Sequence, residues 1–374
     1  MELVLYENQK KIYYVFLDKK LKVVQLPTKF LLSINNRSLR YSEASIKHYA
    51  KVLKYFVNYL EKHFKESVDV LLAVIDGITI SEYLKLLKDK GLSESTIRNR
   101  EAIIKELMTW LTTEEAGCVR KNNGYANHRY KSPTPSRKIP KYLTIEEIVE
   151  FINLLHDESQ RCLIHFLFDS GIRISEVSRL KMSDLPKLKD FSEDTMYFDI
   201  DIHGSKGRGG MIKERKTFIS KAMVMRINRL HKQHPLYRKS SRKYGADMPC
   251  FLNIKGVPLT ENAIKNLLYK TAQRGGLETK KYSAHKFRHS FAVSVLMSEF
   301  DTDFINKLVI VRDALGHNDI KTTEIYAHIP PAAIKNLQAK NKDHNILYRF
   351  EESQYIYERT YLPMKNHREK RGRS

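Results

Sequence analysis

The sequence predicts a mainly α-helical protein with small β elements: a helical domain followed by an α+β domain. Three observations carry this reading. Across residues 43–111 apolar side chains recur at helical spacing, with charged residues between them. Across residues 195–202 they alternate one by one, the period of a half-buried strand, ahead of a glycine-rich turn. Between these regions, residues 119–140 break both periods with Asn-Asn-Gly, Ser-Pro-Thr-Pro and Ile-Pro. A chain of 374 residues is long enough for two separate cores.

The formal net charge is +23. Such an excess points to an anionic partner, nucleic acid first, with a solvated basic surface as the plain alternative. Cys118, Cys162 and Cys250 are odd in number and far apart. They predict free thiols in a reducing compartment, with no disulfide framework and no CxxC metal pair. No apolar run reaches the length of a membrane span, and the start Met-Glu lacks a signal pattern. The expectation is a soluble, cytoplasmic, nucleoid-associated protein without a membrane partner.

Residues 3–17 read as two short strands about a polar turn, a β element (1–22) that covers the next domain. The helical domain is assigned to 23–118. Its first clear helix carries Ile46, Tyr49, Leu53, Phe56, Val57 and Leu60 on one side, with Ser42 or Ser45 as cap. A shorter helix ends at Gly91. A third puts Ile97, Ile104, Leu107, Met108 and Leu111 inward and leaves Arg98, Arg100 and Lys105 to face out. Residues 119–140 form a basic linker, with Arg120, Lys121, Arg129, Lys131, Arg137 and Lys138 suited to a phosphate backbone.

The second domain is assigned to 141–345 and a basic tail to 346–374. Thr144-x-x-Glu147 is a capping box ahead of an apolar helix. A helix with Leu163, Phe166 and Leu167 stops at Ser170-Gly171, and Arg173 opens another, with Glu176 one turn on. Met196, Phe198, Ile200 and Ile202 alternate along a strand. Lys206 and Arg208 then fall in a hairpin turn among Gly204, Gly207, Gly209 and Gly210. A helix at 221–233, a short strand near 250–254, a helix ending at Gly275-Gly276, the helix from 284 and a short helix near 330–342 complete the domain.

The chemistry concentrates between Tyr282 and His328. On a helix His285, Arg288 and His289 project together, because residues three and four apart share a face. Arg offers a permanent charge and a bidentate donor fork, suited to a phosphate. His exchanges a proton near neutral pH. Tyr326, nine residues after His317, can act as a nucleophile. Each residue also has a plain reading: Tyr326 as packing, Arg173 and Glu176 as a surface ion pair of little value. His289 is read as structural. A zinc site on His285 and His289 would need Glu where Lys286 stands, so no metal is expected. The GSKGRGG turn is not a P-loop, since no Gly-Lys-Ser/Thr opens a helix after it.

Arg173 in GIRISEV, Lys206 in GSKG, His285-x-x-Arg288, His317 in LGH and Tyr326 together resemble the catalytic set of the tyrosine site-specific recombinases, the phage integrase family. Each motif alone is weak; five in this order are specific. The resemblance covers residues 144–337 closely and the preceding hundred more loosely. It implies a SAM-like core-binding domain and an α+β catalytic domain of the tyrosine recombinase type. It implies Tyr326 as the nucleophile of a 3′-phosphotyrosine intermediate, Arg173 and Arg288 as a phosphate clamp and Lys206 as general acid. His285 and His317 would bond phosphoryl oxygens or assist proton transfer at the tyrosine, and Glu176 would position its neighbours. Arg98, Arg100, Lys105, Arg129, Lys131, Arg137, Lys138 and Arg208 would contact DNA. No cofactor is implied. The partner would be double-stranded DNA, bound by a homo-tetramer (dimers per site), with an accessory DNA-bending or directionality protein. The helix after Tyr326 would pack into a neighbouring protomer. The implied activity is integration, excision or transposition of a mobile element. A type IB topoisomerase and an inactive DNA-binding relative are the alternatives. Arg312 departs from the pattern, standing where many relatives carry a neutral amide.

Overall fold

The computed structural model describes residues 1–8, 11–36, 41–125, 141–187, 192, 194–206, 212–298, 303–317, 320–329, 331–344, 346 and 348–364. The described residues fall into two compact units, one ending at 125 and one beginning at 141. Arg129, Lys131, Arg137, Lys138, Arg208 and the tail from 365 lie outside them.

The first unit opens with an antiparallel hairpin, β1 (Glu2–Asn8) and β2 (Lys11–Leu17), in register Glu2 to Leu17. Five helices follow: α1 (Gln25–Asn36), α2 (Glu43–His63), α3 (Val68–Val74), α4 (Gly77–Asp89) and α5 (Glu94–Trp110). Ser42, Ser67, Asp76 and Ser93 each accept a backbone N–H at the start of a helix, the expected chemistry of an N-cap. The apolar sides of α2 and α5 are buried as their spacing predicts: Ile46, Leu53, Phe56, Val57 and Leu60 against Ile97, Ile104, Leu107, Met108 and Leu111. Tyr14 and Phe16 of β2 join that core, and the Phe16 N–H donates to Thr28 of α1 at 3.0 Å. The hairpin is thus built into the helical unit.

In the second unit Thr144 and Glu147 form the capping box of α6 (Ile145–Asn153). α7 (Glu158–Ser170) is buried along nearly its whole length, and α8 (Ile174–Val177) follows its glycine stop. β3 (Tyr197–Lys206) and β4 (Ile212–Ser220) pair antiparallel, with Phe198, Ile200 and Ile202 buried and Met196 exposed ahead of the strand. Then come α9 (Lys221–Gln233), α10 (Pro235–Tyr244), α11 (Glu261–Arg274) and α12 (Ala284–Met297). α13 (Phe304–Leu315), α14 (Ile320–Ala327), α15 (Pro331–Asp343) and α16 (Arg349–Thr360) complete the unit. α12 is central: every residue from 287 to 297 is buried.

Three expectations need correction. Near residues 250–254 the backbone makes isolated bridges, Lys181 to Pro249 and Leu252 to Pro258, and no regular strand. Residues 349–360 are not tail but α16, packed on α6, α7 and α9. Its inward side is mostly polar. Arg349 pairs with Asp169 at 3.4 Å, and Ser353 bonds His165 at 2.8 Å. Finally, α15 packs on its own unit: Leu337 is buried and the Gln338 amide donates to the Met297 carbonyl at 3.0 Å.

Candidate active site

The site is organised by the C-terminus of α13. The last carbonyls of a helix lack partners within it and carry the negative end of its dipole. Here three guanidiniums supply partners to three consecutive carbonyls. Arg215 Nη1 donates to Ala314, Arg288 Nη2 to Leu315, and Arg173 Nη2 to Gly316 at 3.4 Å. The three arginines come from three elements: Arg173 at the start of α8, Arg215 on β4 and Arg288 within α12.

Two glycines allow this convergence. Gly171 ends α7 with φ +60, and a Cβ there would run into the Phe291 ring of α12. The close approach lets the Gly171 carbonyl accept from Arg288 Nη1 at 2.6 Å, two residues before Arg173. Gly316 has φ +61, and a Cβ there would strike the Arg215 side chain. Both conformations suit glycine and strain any other residue.

Glu176 ties two of the arginines together. It accepts from the Arg173 backbone N–H at 2.8 Å and from Arg173 Nη1 at 3.0 Å. It also accepts from Arg215 Nη2 at 2.6 Å and Arg215 Nε at 3.4 Å. Glu176 and Arg215 are buried, while the Arg173 side chain is 36% exposed. Arg173 is therefore the guanidinium that meets solvent.

Among the described residues Glu176 is the carboxylate that Arg173 and Arg215 share. Burial, then the neighbouring Arg173 and Arg215, push Arg288 down to about 9, still a cation at neutral pH. Burial and the arginines push His317 down to about 4. Partial desolvation, then Arg288, Lys286 and Arg173, lower exposed His285. These imidazoles stay neutral because they are desolvated first and then crowded by guanidiniums. An anion set among these groups relieves their repulsion. The bidentate donors and their fixed geometry suit a phosphoryl group.

Tyr326 lies on α14 and is buried. Burial raises its pKa, so the phenol holds its proton. Its hydroxyl meets Nδ1 of His289 at 2.6 Å. His289, expected to be structural, contacts the candidate nucleophile. His317 Nδ1 bonds Thr323 Oγ1 at 2.9 Å. Lys206 ends β3 in register with Ile212, and its side chain lies outside the described residues. Arg312 pairs with its neighbour Asp313 at 2.7 Å, so its charge is offset locally.

The basic residues of α5 do not form one face. Arg98 and Lys105 are exposed and, seven apart, share a side of the helix. Arg100 is turned by roughly 200° from Arg98. It is half-buried, with its guanidinium 4.6 Å from the centre of the Tyr55 ring.

Residues 141–332, just over half of the chain, match the model of the phage integrase family. The chain belongs to that family. Residues 34–115 also match the phage integrase N-terminal SAM-like domain. A tyrosine recombinase XerC of Halalkalibacterium halodurans is 27% identical over 304 residues, 79% of this chain and 90% of that protein. A tyrosine recombinase XerD of Caulobacter vibrioides is 28% identical over 262 residues, 68% of this chain and 77% of that protein. Among solved structures, the XerH site-specific recombinase bound to palindromic difH substrate superposes with TM-score 0.57 at 23% identity, covering 80% of each chain. The Tn1549 transposon integrase with transposon right end DNA gives TM-score 0.57 at 17% identity, covering 85% of this chain and 99% of that one. At such identities these two likenesses speak for the fold, a SAM-like domain and a tyrosine recombinase catalytic domain. This phage integrase family member is accordingly an enzyme, a DNA-strand-transferring tyrosine recombinase.

Two residues of the site were missed in the sequence. Arg215 was hidden among the basic residues of the hairpin. Its signal is parity: Arg215, Thr217 and Ile219 share the buried face of β4, while Glu214 and Lys216 face out. His289 shares a helix side with His285 and Arg288, but that spacing does not mark it as the partner of the tyrosine.

Proposed function

We propose that this enzyme is a site-specific recombinase that cuts and rejoins double-stranded DNA through a 3′-phosphotyrosine intermediate. Its biological work is the integration, excision or transposition of a mobile element. The observation that supports this reading most is the set of three guanidiniums on the carbonyls of residues 314–316, facing the single carboxylate of Glu176 among the described residues.

A phosphodiester resists attack because its anionic oxygens repel a nucleophile. Arg173 and Arg288 hold those oxygens and neutralise the charge that gathers on them in the transition state. Glu176 and Arg215 fix Arg173, and His285 and His317 donate to the phosphoryl group. Tyr326 attacks phosphorus, and the 5′ oxygen leaves with a proton from Lys206. The phosphotyrosine bond conserves the energy of the broken one, so rejoining needs no nucleotide cofactor.

Outside the catalytic domain, Arg98, Arg100 and Lys105 contact the duplex and Arg129, Lys131, Arg137 and Lys138 follow its backbone, as Arg208 does within that domain. The enzyme works as a homo-tetramer, a dimer on each site, with an accessory DNA-bending or directionality protein, in the cytoplasm at the nucleoid. The test is a nicked DNA substrate, taken from the flanks of the gene, that loses its leaving strand after cleavage. The wild-type chain accumulates a covalent adduct on it. Tyr326→Phe binds the same DNA and forms none; an adduct persisting in that variant assigns the nucleophile elsewhere.

A further inference from the structure

Among the described residues the partner of the Tyr326 hydroxyl is His289 Nδ1, at 2.6 Å. The two histidines expected near the tyrosine are turned to other work. His317 Nδ1 is engaged with Thr323, and the His285 ring lies edge-on to His289, centroids 4.3 Å apart. The His289 ring in turn lies edge-on to the Tyr326 ring, at 5.7 Å. One turn of α12 therefore stacks His285, His289 and the phenol in sequence, with Arg288 beside them on the carbonyl of residue 315.

The direction of the hydrogen bond follows from charge. Burial is the first cause that opposes a proton on His289, and the charges of Lys286 and Arg288 add to it. Its pKa is pushed down to about 3, so the ring is neutral. Burial keeps the phenol protonated. A buried O–H needs an acceptor, and the bare Nδ1 of an Nε2–H tautomer provides one. When a phosphate enters between the guanidiniums, its charge offsets the repulsion from Arg288, which adds to burial in keeping this ring neutral. The proton affinity of His289 then rises where the phenol must lose its proton.

We propose that His289 is a further catalytic residue: its Nδ1 orients the Tyr326 hydroxyl and takes the phenolic proton as the oxygen attacks phosphorus. This rests on Tyr326 being the nucleophile. In cleavage the bond between Tyr326 Oη and phosphorus forms and the bond from phosphorus to the 5′ oxygen breaks. The phenolic proton passes to His289 Nδ1, and the leaving oxygen receives one from Lys206. In rejoining, the 5′ hydroxyl attacks phosphorus and returns its proton to Lys206. His289 gives its proton back to the departing phenolate.

Two measurements test this. The first needs no DNA: nitrogen NMR of the full chain with labelled histidine at neutral pH. A neutral His289 ring with an unprotonated Nδ1 is expected. An Nδ1–H tautomer or a cationic ring overturns the proposal. The second follows adduct formation on the nicked flanking DNA with His289→Asn and His289→Ala. The rate at neutral pH should fall ~100-fold and climb about tenfold per pH unit as hydroxide replaces the lost acceptor. A fluorinated tyrosine at position 326, which ionises more readily, should restore it. A variant that cuts at the wild-type rate overturns the proposal. So does one that is slow at every pH alike and is not rescued, since that marks a packing defect. If Tyr326→Phe still forms the adduct, the underlying choice of nucleophile has failed, whatever His289 does.

Discussion

The two units of the chain are filled in opposite ways. In the first, the described buried side chains are apolar or aromatic except for Thr28 and Ser33. In the second, ion pairs sit in the interior: Arg226 with Glu158 at 2.7 Å, Arg215 with Glu176 at 2.6 Å, and Arg349 with Asp169 at 3.4 Å. Buried pairs are a poor route to stability, because desolvation offsets most of their attraction. A chain that keeps them invests in geometry. One of the three belongs to the site. The other two anchor α16: Arg226 bonds Thr360, and Arg349 itself opens that helix. Asp169 and Gly171 lie close in sequence, so the anchor of α16 and the floor of the site share one turn of chain.

The contrast predicts how each unit breaks. Glu158→Ala leaves Arg226 buried and uncompensated, at a cost of ~3–5 kcal/mol. Denaturant unfolding should show that loss in the second unit alone. Ser93→Ala removes the cap of α5 and should cost about 1 kcal/mol, confined to the first unit. Equal losses from the two changes would mean that the interiors do not differ as described.

Acid should separate the units more gently. In an unfolded chain histidines take up protons near pH ~6.5. In the folded second unit His317 resists until about 4 and His289 until about 3. His165 is also held well below its ordinary value, by burial and then by Arg226 and Arg349. Between those values the unfolded state binds more protons, so stability is full above ~6.5 and falls as pH drops. The first unit has His48 and His63 at its surface. Its melting temperature should change less from pH 7 to 5 than that of the second unit. A second unit indifferent to this step would contradict neutral buried imidazoles.

The same contrast governs what the sequence reveals. Where burial is apolar, periodicity is legible: α2, α5, α6 and α7 follow from it, as does the alternation of β3. α1, with Pro27 in its first turn, has no counterpart among the elements expected from the sequence. α16 was missed for a deeper reason. Its buried positions, Arg349, Glu352, Ser353, Ile356 and Thr360, keep helical spacing, but four of the five are polar. A pattern search that counts apolar residues sees nothing there. Arg215 was passed over likewise, as a cation on an inward face. Arg173, His285, Arg288, His317 and Tyr326 stand out in the sequence through their resemblance to the family's set; spacing alone places His285 and Arg288 on one helix side. The partner of the phenol depends on a fold-level contact that no spacing records.

The central claim is that the guanidiniums gathered at the end of α13 hold the scissile phosphate. Arg173 tests it best, because its side chain reaches solvent. The decisive measurement is the single-turnover rate of covalent adduct formation by Arg173→Ala on the nicked DNA, with affinity measured alongside. The rate should fall ~100- to 1000-fold while binding barely changes. A variant that forms the adduct at the wild-type rate would place the phosphate somewhere else.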